Sequence, residues 1–211
     1  MKQSLSRFLM LSSVVLVSGT LALAQQRPMG SSAETAPTNP SNPTTNNSDT
    51  NGTQQMQQTQ NSAEGSMMDK AFVESALQGG MGEVELGKLA AQKGSSPDVK
   101  QFGQKMVDDH TKLGDQMQQV AQQMGVHGPK GLSKKDKELV AKLETLSGAE
   151  FDDAYIKAMV KDHKNDLSSF QAEANNSQNS TLRQAAQRDE PMIDGHLQLI
   201  EQIAKTHGVK G

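Results

Sequence analysis

The chain has no cysteine and no tryptophan, and its aromatic residues are five Phe and one Tyr. Without cysteine there is no disulfide framework, no thiolate metal site and no cysteine for a lipid anchor. Basic blocks are missing as well: 21 Lys and Arg stand against 24 Asp and Glu, for a formal charge of −3. A mildly acidic chain with so few stacking aromatics lacks the footprint of a nucleic-acid binder. Long apolar runs are confined to the beginning. Lys2 and Arg7 lead into the stretch from Phe8 to Leu23, and Ala22-Leu23-Ala24 closes it as an A-x-A cleavage site. This predicts a signal peptide over 1–24 and a mature chain starting at Gln25, whose formal charge is −5 once Lys2 and Arg7 are removed. The apolar run is short for a membrane-spanning helix and no second one follows, so no transmembrane anchor is expected. Export without disulfides fits a bacterial periplasm or outer cell surface.

From Gln25 to about residue 66 the chain is dominated by Gln, Asn, Thr, Ser and Pro. Such a composition buries too little apolar area to offset the entropy of ordering, which predicts a disordered linker. The folded domain is expected over 67–209, an ordinary size for one domain.

Within it the apolar residues recur at helical spacing. Val99, Phe102, Met106, His110, Leu113, Met117, Val120 and Met124 make one stripe, predicting a helix from Pro97 to Met124. A first helix, about Met68 to Lys93, carries Phe72, Val73, Leu77, Gly80, Glu83, Val84, Gly87 and Ala90 on one face. Its glycines at 79, 80, 82 and 87 weaken the helix and suggest close approach to a neighbour, or a kink. Gly94-Ser95-Ser96-Pro97 stops this helix and starts the next. Ser133 with Asp136 resembles a capping box opening a short helix to about Leu146. A third long helix, about Ala149 to Asn175, stripes Tyr155, Ile156, Met159, Val160, His163, Leu167 and Phe170, with Asp166 on the same face. The last begins at Ser180 and stripes Leu182, Ala185, Asp189, Ile193, His196 and Ile200, with Pro191 expected to kink or split it. Four long helices, with a short one connecting the second to the third, predict an all-α, antiparallel four-helix bundle with a crossover helix.

Each long helix carries a polar residue on its apolar stripe. At 1.5 Å per residue, Glu83 lies about 18 Å before the first turn and His110 about 22 Å after it. His163 lies about 21 Å before the last turn, and Asp189 and His196 about 18 and 28 Å after it. In a bundle these groups meet at similar heights, with Asp109 at the edge of its stripe and Asp166 within its own. Inward Glu and His from facing helices are how bundles hold metal ions.

The segments from Gly79 to Ala90, Met106 to Lys112, Phe151 to Ile156, Met159 to His163 and Pro191 to His196 resemble, as a set, the exported bacterial family called domain of unknown function 4142. The resemblance covers nearly the whole domain. It implies a ferritin-like helical bundle in the periplasm or cell envelope, and no particular activity.

A ferritin-like bundle raises the question of a di-iron oxidase, whose sites use Glu-x-x-His on two helices. Val107, Val160 and Ile193 stand three residues before His110, His163 and His196, so that pattern is absent. No Ser-His-Asp arrangement or phosphate loop competes. The residues fit a non-catalytic envelope module in which His110, His163, His196, Glu83, Asp109 and Asp166 hold one divalent metal (zinc, copper or iron) or a small ligand. The alternative is an interaction protein whose His residues pair with Asp109, Asp166, Asp189 and Glu83 in a core hydrogen-bond network. An envelope protein partner is compatible with either.

Overall fold

The computed structural model describes residues 48–210. Five helices follow one another: α1 (Ser48–Lys93), α2 (Pro97–Met124), α3 (Lys134–Glu144), α4 (Gly148–Asn176) and α5 (Ser180–His207), with no strand among the described residues. The expected signal peptide, and the linker up to residue 47, lie outside the described residues. Among the described helices none is long and apolar enough to cross a membrane.

α1 pairs with α2 and α4 with α5, each as a helical hairpin. Phe72 meets Phe170 and Glu83 meets His163, so α1 and α4 run in opposite directions. Asp98 meets His207 and Asp109 meets His196, so α2 and α5 do too. α2 and α4 are then parallel, and the chain must travel back along the bundle between them. α3, packed against α1 and α4, makes that return. This is the ferritin-like arrangement with one crossover.

Caps follow from the local sequence. Ser133 accepts a hydrogen bond from the Asp136 backbone N–H, and the two side chains bond each other at 2.6 Å. Asn179 accepts from the N–H groups of Thr181 and Leu182. Gly125, at φ 67°, and Gly208, at φ 69°, close α2 and α5 in the left-handed region that side chains avoid. Asp152, near the start of α4, accepts from the backbone N–H groups of Ser95 and Ser96 and from the Ser95 hydroxyl, at 2.8–2.9 Å. It thereby ties α4 to the turn between α1 and α2. The first hairpin is drawn close at Gly87 and Gly103: a Cβ on either would lie 2.7 Å from the carbonyl oxygen of the other.

Two boundaries differ from the sequence reading. α1 begins at Ser48, so residues 48–66 of the expected linker are helical. This segment has no proline, and its Gln, Met, Ala and Glu are good helix formers. Adding residues to a helix already nucleated by the bundle avoids the cost of a new nucleus. Met56 and Ala63 are the segment's apolar residues, too few to make a stripe that would announce it. Pro191 does not split α5, which is continuous through it. The proline ring removes the N–H that would have bonded the Gln187 carbonyl, and the helix continues past that missing bond.

The core falls into two apolar clusters. One holds Leu86, Ala90, Phe102, Met106, Tyr155, Met159 and Ile200, among others. The other holds Val73, Leu77, Leu113, Met117, Phe170, Leu182 and Ile193, among others. On every long helix a single polar residue separates the two: Glu83 between Leu77 and Leu86, His110 between Met106 and Leu113, His163 between Met159 and Phe170, His196 between Ile193 and Ile200. The bundle thus has a polar layer at mid-height.

Candidate metal centre

The four residues of this layer are buried: Glu83 is 5% exposed, His110 4%, His163 0% and His196 1%. The imidazole rings form a triangle, with centroids 5.7 Å apart for His110 and His163, 5.3 Å for His110 and His196, and 5.5 Å for His163 and His196. One ring nitrogen from each lies within 4.8 Å of the other two. Phe102 lies beside two of the rings, at 6.0 Å from His163 and 6.4 Å from His196.

Two of the rings are held by a hydrogen bond at one nitrogen. His163 Nδ1 is 3.0 Å from the Met159 carbonyl oxygen, which can only accept, so Nδ1 carries the proton. That leaves Nε2 as a lone pair with no hydrogen-bond partner. His196 Nε2 is 2.9 Å from Asp109 Oδ2, and its Nδ1 is without a partner. His110 Nδ1 is 2.9 Å from Glu83 Oε2, an ion-pair distance whose angle does not make a hydrogen bond, and its Nε2 has no partner either. A ligating imidazole commonly gives its second nitrogen to a carbonyl or carboxylate, which fixes ring orientation and tautomer.

The electrostatics separate the three rings. Burial disfavours the Glu83 carboxylate, but the charge and contact of His110, with His163 and His196 behind it, outweigh burial and hold its pKa at about 2. Burial likewise opposes the His110 imidazolium, yet the charge and contact of Glu83 keep it above the usual imidazole value. Burial pushes His163 below that value, although Glu83 pulls the other way. Burial also takes His196 down to about 4 despite its contact with Asp109. The layer thus favours the charged form of His110 beside the Glu83 carboxylate and the neutral forms of His163 and His196. Asp166 is raised to about 8 by burial and by the charges of Glu83 and Asp162.

All six residues singled out from the sequence are in this region, but not in one role. The three His converge and Glu83 sits against His110. Asp109 lies outside the triangle, holding His196 with one oxygen that also receives Lys105 Nζ at 2.7 Å. Asp166 lines a small crevice together with Glu83 and His110. Asp189, expected as a partner in a His–carboxylate network, is instead bonded by its neighbour Arg188 at 3.0 and 3.2 Å. Two members escaped the sequence reading. Lys105 was legible as an i, i+4 partner of Asp109; the Met159 carbonyl carries no side-chain signal.

Fold and layer together define an antiparallel four-helix bundle with one crossover helix and a buried histidine triangle. The chain belongs to the family described as domain of unknown function (DUF4142), whose profile matches residues 54–203. None of the curated proteins matches it. Two solved structures are similar in fold. One is a DUF305 fragment from Deinococcus radiodurans, 14% identical, with a TM-score of 0.58 over 66% of this chain and 96% of that one. The other is a presumed secreted DUF305 protein from Streptomyces coelicolor, 13% identical, with a TM-score of 0.57 over 68% of this chain and 95% of that one. At such identity they speak for the fold alone.

Proposed function

We propose that the protein is an exported, non-catalytic module of the bacterial envelope that holds one metal ion at the His110–His163–His196 triangle. The observation that supports this best is three buried histidines from three different helices, each offering a ring nitrogen within 4.8 Å of the others and each with a buried ring nitrogen that has no hydrogen-bond partner. Buried polar atoms are nearly always satisfied, and three such rings in one cluster call for a common partner. An all-imidazole set suits zinc, copper or iron. At metal–nitrogen distances of about 2.0–2.1 Å the ligand atoms of a tetrahedral site are about 3.4 Å apart, so the rings would close inward by about 1 Å. His110 must give up its proton to ligate, and the Glu83 carboxylate then balances the charge of the ion. Export rests on the N-terminal signal pattern, and a binding role on the lack of any nucleophile constellation.

The test is elemental analysis of the full chain, purified without chelators and dialysed against zinc, copper(II) and iron(II) in turn. About one equivalent of one metal, lost in both His163→Ala and His196→Ala, is the expected result. No bound metal, with both variants merely less stable, would leave the layer as a structural network. Oxygen consumption with iron would instead point to an oxidase.

A further inference from the structure

A site buried this deeply needs a way in, and two crevices reach the layer from the surface. One, between α1 and α2, touches His110 and is lined by Leu77, Met81, Val84, Pro129 and Leu132, with Glu85 and Asp115 offset by Lys88. The other, between α1, α3 and α4, encloses about 190 Å³, room for several waters. It is lined by Glu83, Asp136, Asp162 and Asp166 with a single cation, Lys135. At its inner end Glu83 Oε1 is buried and has no hydrogen-bond partner among the described residues. At its mouth Lys135 Nζ is bonded to Asp162 Oδ1 at 2.7 Å, with the lysine side chain 66% exposed.

Resting on the metal-site reading above, we propose that the α1/α3/α4 crevice is the route by which the cation reaches the histidine triangle, with Lys135 as an electrostatic guard at its mouth. A cleft lined mostly by one sign of charge, here the carboxylates of Glu83, Asp136 and Asp162 beside a protonated Asp166, concentrates counter-ions. Carboxylates also replace shed hydration waters with oxygen donors. Glu83 is the step between the two environments, since its side chain lines the crevice while Oε2 lies 2.9 Å from His110 Nδ1 and Oε1 3.6 Å from His163 Nδ1. The α1/α2 crevice reaches His110 directly, but its two carboxylates, Glu85 and Asp115, share a mostly apolar lining with Lys88. The crossover helix, which the topology requires only as a connection, thus does more than connect, since its first turn carries Lys135 and Asp136 over the opening.

Uptake kinetics test the route separately from the site. The probe is cobalt(II), mixed with the full chain and followed by its visible absorption, with bound metal measured at equilibrium. Lys135→Gln is expected to speed uptake about fivefold at low ionic strength, the factor one unit charge exerts on a divalent ion about 8 Å away in water. Salt should erase the difference. Gly79→Leu, whose new side chain would enter the crevice from a helical position with open space at the Cβ, is expected to slow uptake severalfold. Gly114→Leu, which intrudes on the α1/α2 crevice, should leave the rate unchanged. All three variants should reach the wild-type stoichiometry. Slowing by Gly114→Leu and not by Gly79→Leu, or equal rates throughout, would overturn the route while leaving the site intact. Failure of the wild type to take up cobalt(II), zinc or copper at equilibrium would overturn both.

Discussion

Asp166 offers the most direct test of the electrostatics of the layer. Its carboxyl is raised from 3.8 to about 8 by burial and by the Glu83 and Asp162 charges, so the folded protein keeps this proton at pH 7 whereas the unfolded chain does not. A group raised on folding contributes stability that is fully present below its unfolded pKa and lost as pH climbs towards the folded value. Stability should therefore fall between pH 3.8 and about 8 by up to about 1.4 kcal/mol per pH unit from this group alone. Asp166→Asn keeps the shape and a donor but removes the titration. Between pH 5 and pH 7 the limit is about 2.7 kcal/mol, and partial exposure of the carboxyl reduces the expectation to about 1–2 kcal/mol. The assay is urea unfolding of both proteins at pH 5, 6 and 7, followed by circular dichroism. The histidines of the layer are common to both proteins, and what they contribute independently of Asp166 cancels in the difference. Asp166→Asn should gain on the wild type as pH rises. A constant difference, or one that shrinks with pH, would mean that Asp166 is ionised in the folded state and that the charge assignment of the layer is wrong.

Other consequences can be measured on single variants. Gly103→Ala would set a Cβ 2.7 Å from the Gly87 carbonyl oxygen and should cost about 1–3 kcal/mol in thermal unfolding, whereas Gly114→Ala meets nothing within 4 Å and should stabilise by up to about 1 kcal/mol. Asp152→Ala leaves the Ser95 and Ser96 N–H groups without their acceptor and should cost about 2–4 kcal/mol in urea unfolding. Because burial of Asp152 is outweighed by those same bonds, its pKa lies below 3.8; its contribution should persist through mild acid and fade only as pH falls below 3.8. Deleting residues 1–59 should lower the helical circular dichroism signal, since residues 48–59 belong to α1.

How much of this was legible in the residues depended on the kind of signal. The stripe from Val99 to Met124 and its flanking Ser96-Pro97 and Gly125 define α2 at both ends, because burial and capping speak with one voice there. Residues 48–66 are helical with no stripe at all, and a composition argument about burial says nothing of a helix that extends an existing one. The polar layer was visible as polar residues on apolar stripes, and helical rise put them at one height. Asp189 satisfied the same two tests and failed, because an adjacent Arg188 claims it. Spacing along one helix cannot reveal which neighbour a carboxylate prefers. Nor can it reveal that Asp109 bonds His196 across the bundle, a contact between residues 87 positions apart.

The layer poses a final physical question: whether a bundle keeps four polar groups in its core for register or for a ligand. Buried ion pairs seldom add net stability over well-packed apolar residues, because desolvation offsets the attraction. A register device nevertheless consumes its hydrogen-bonding capacity internally. Here Glu83 Oε1 and the free nitrogens of His110, His163 and His196 are all left over. That surplus costs stability in the metal-free protein and gains nothing for register. The combined variant Glu83→Met, His110→Leu, His163→Leu and His196→Leu should then be at least as stable as the metal-free wild type, by 0 to about 4 kcal/mol, and unfold in one cooperative step. It should bind no metal. Loss of a single sharp unfolding transition, or mixed oligomers in sedimentation, would show instead that the layer sets the register of the bundle and that its unpaired nitrogens are a tolerated by-product.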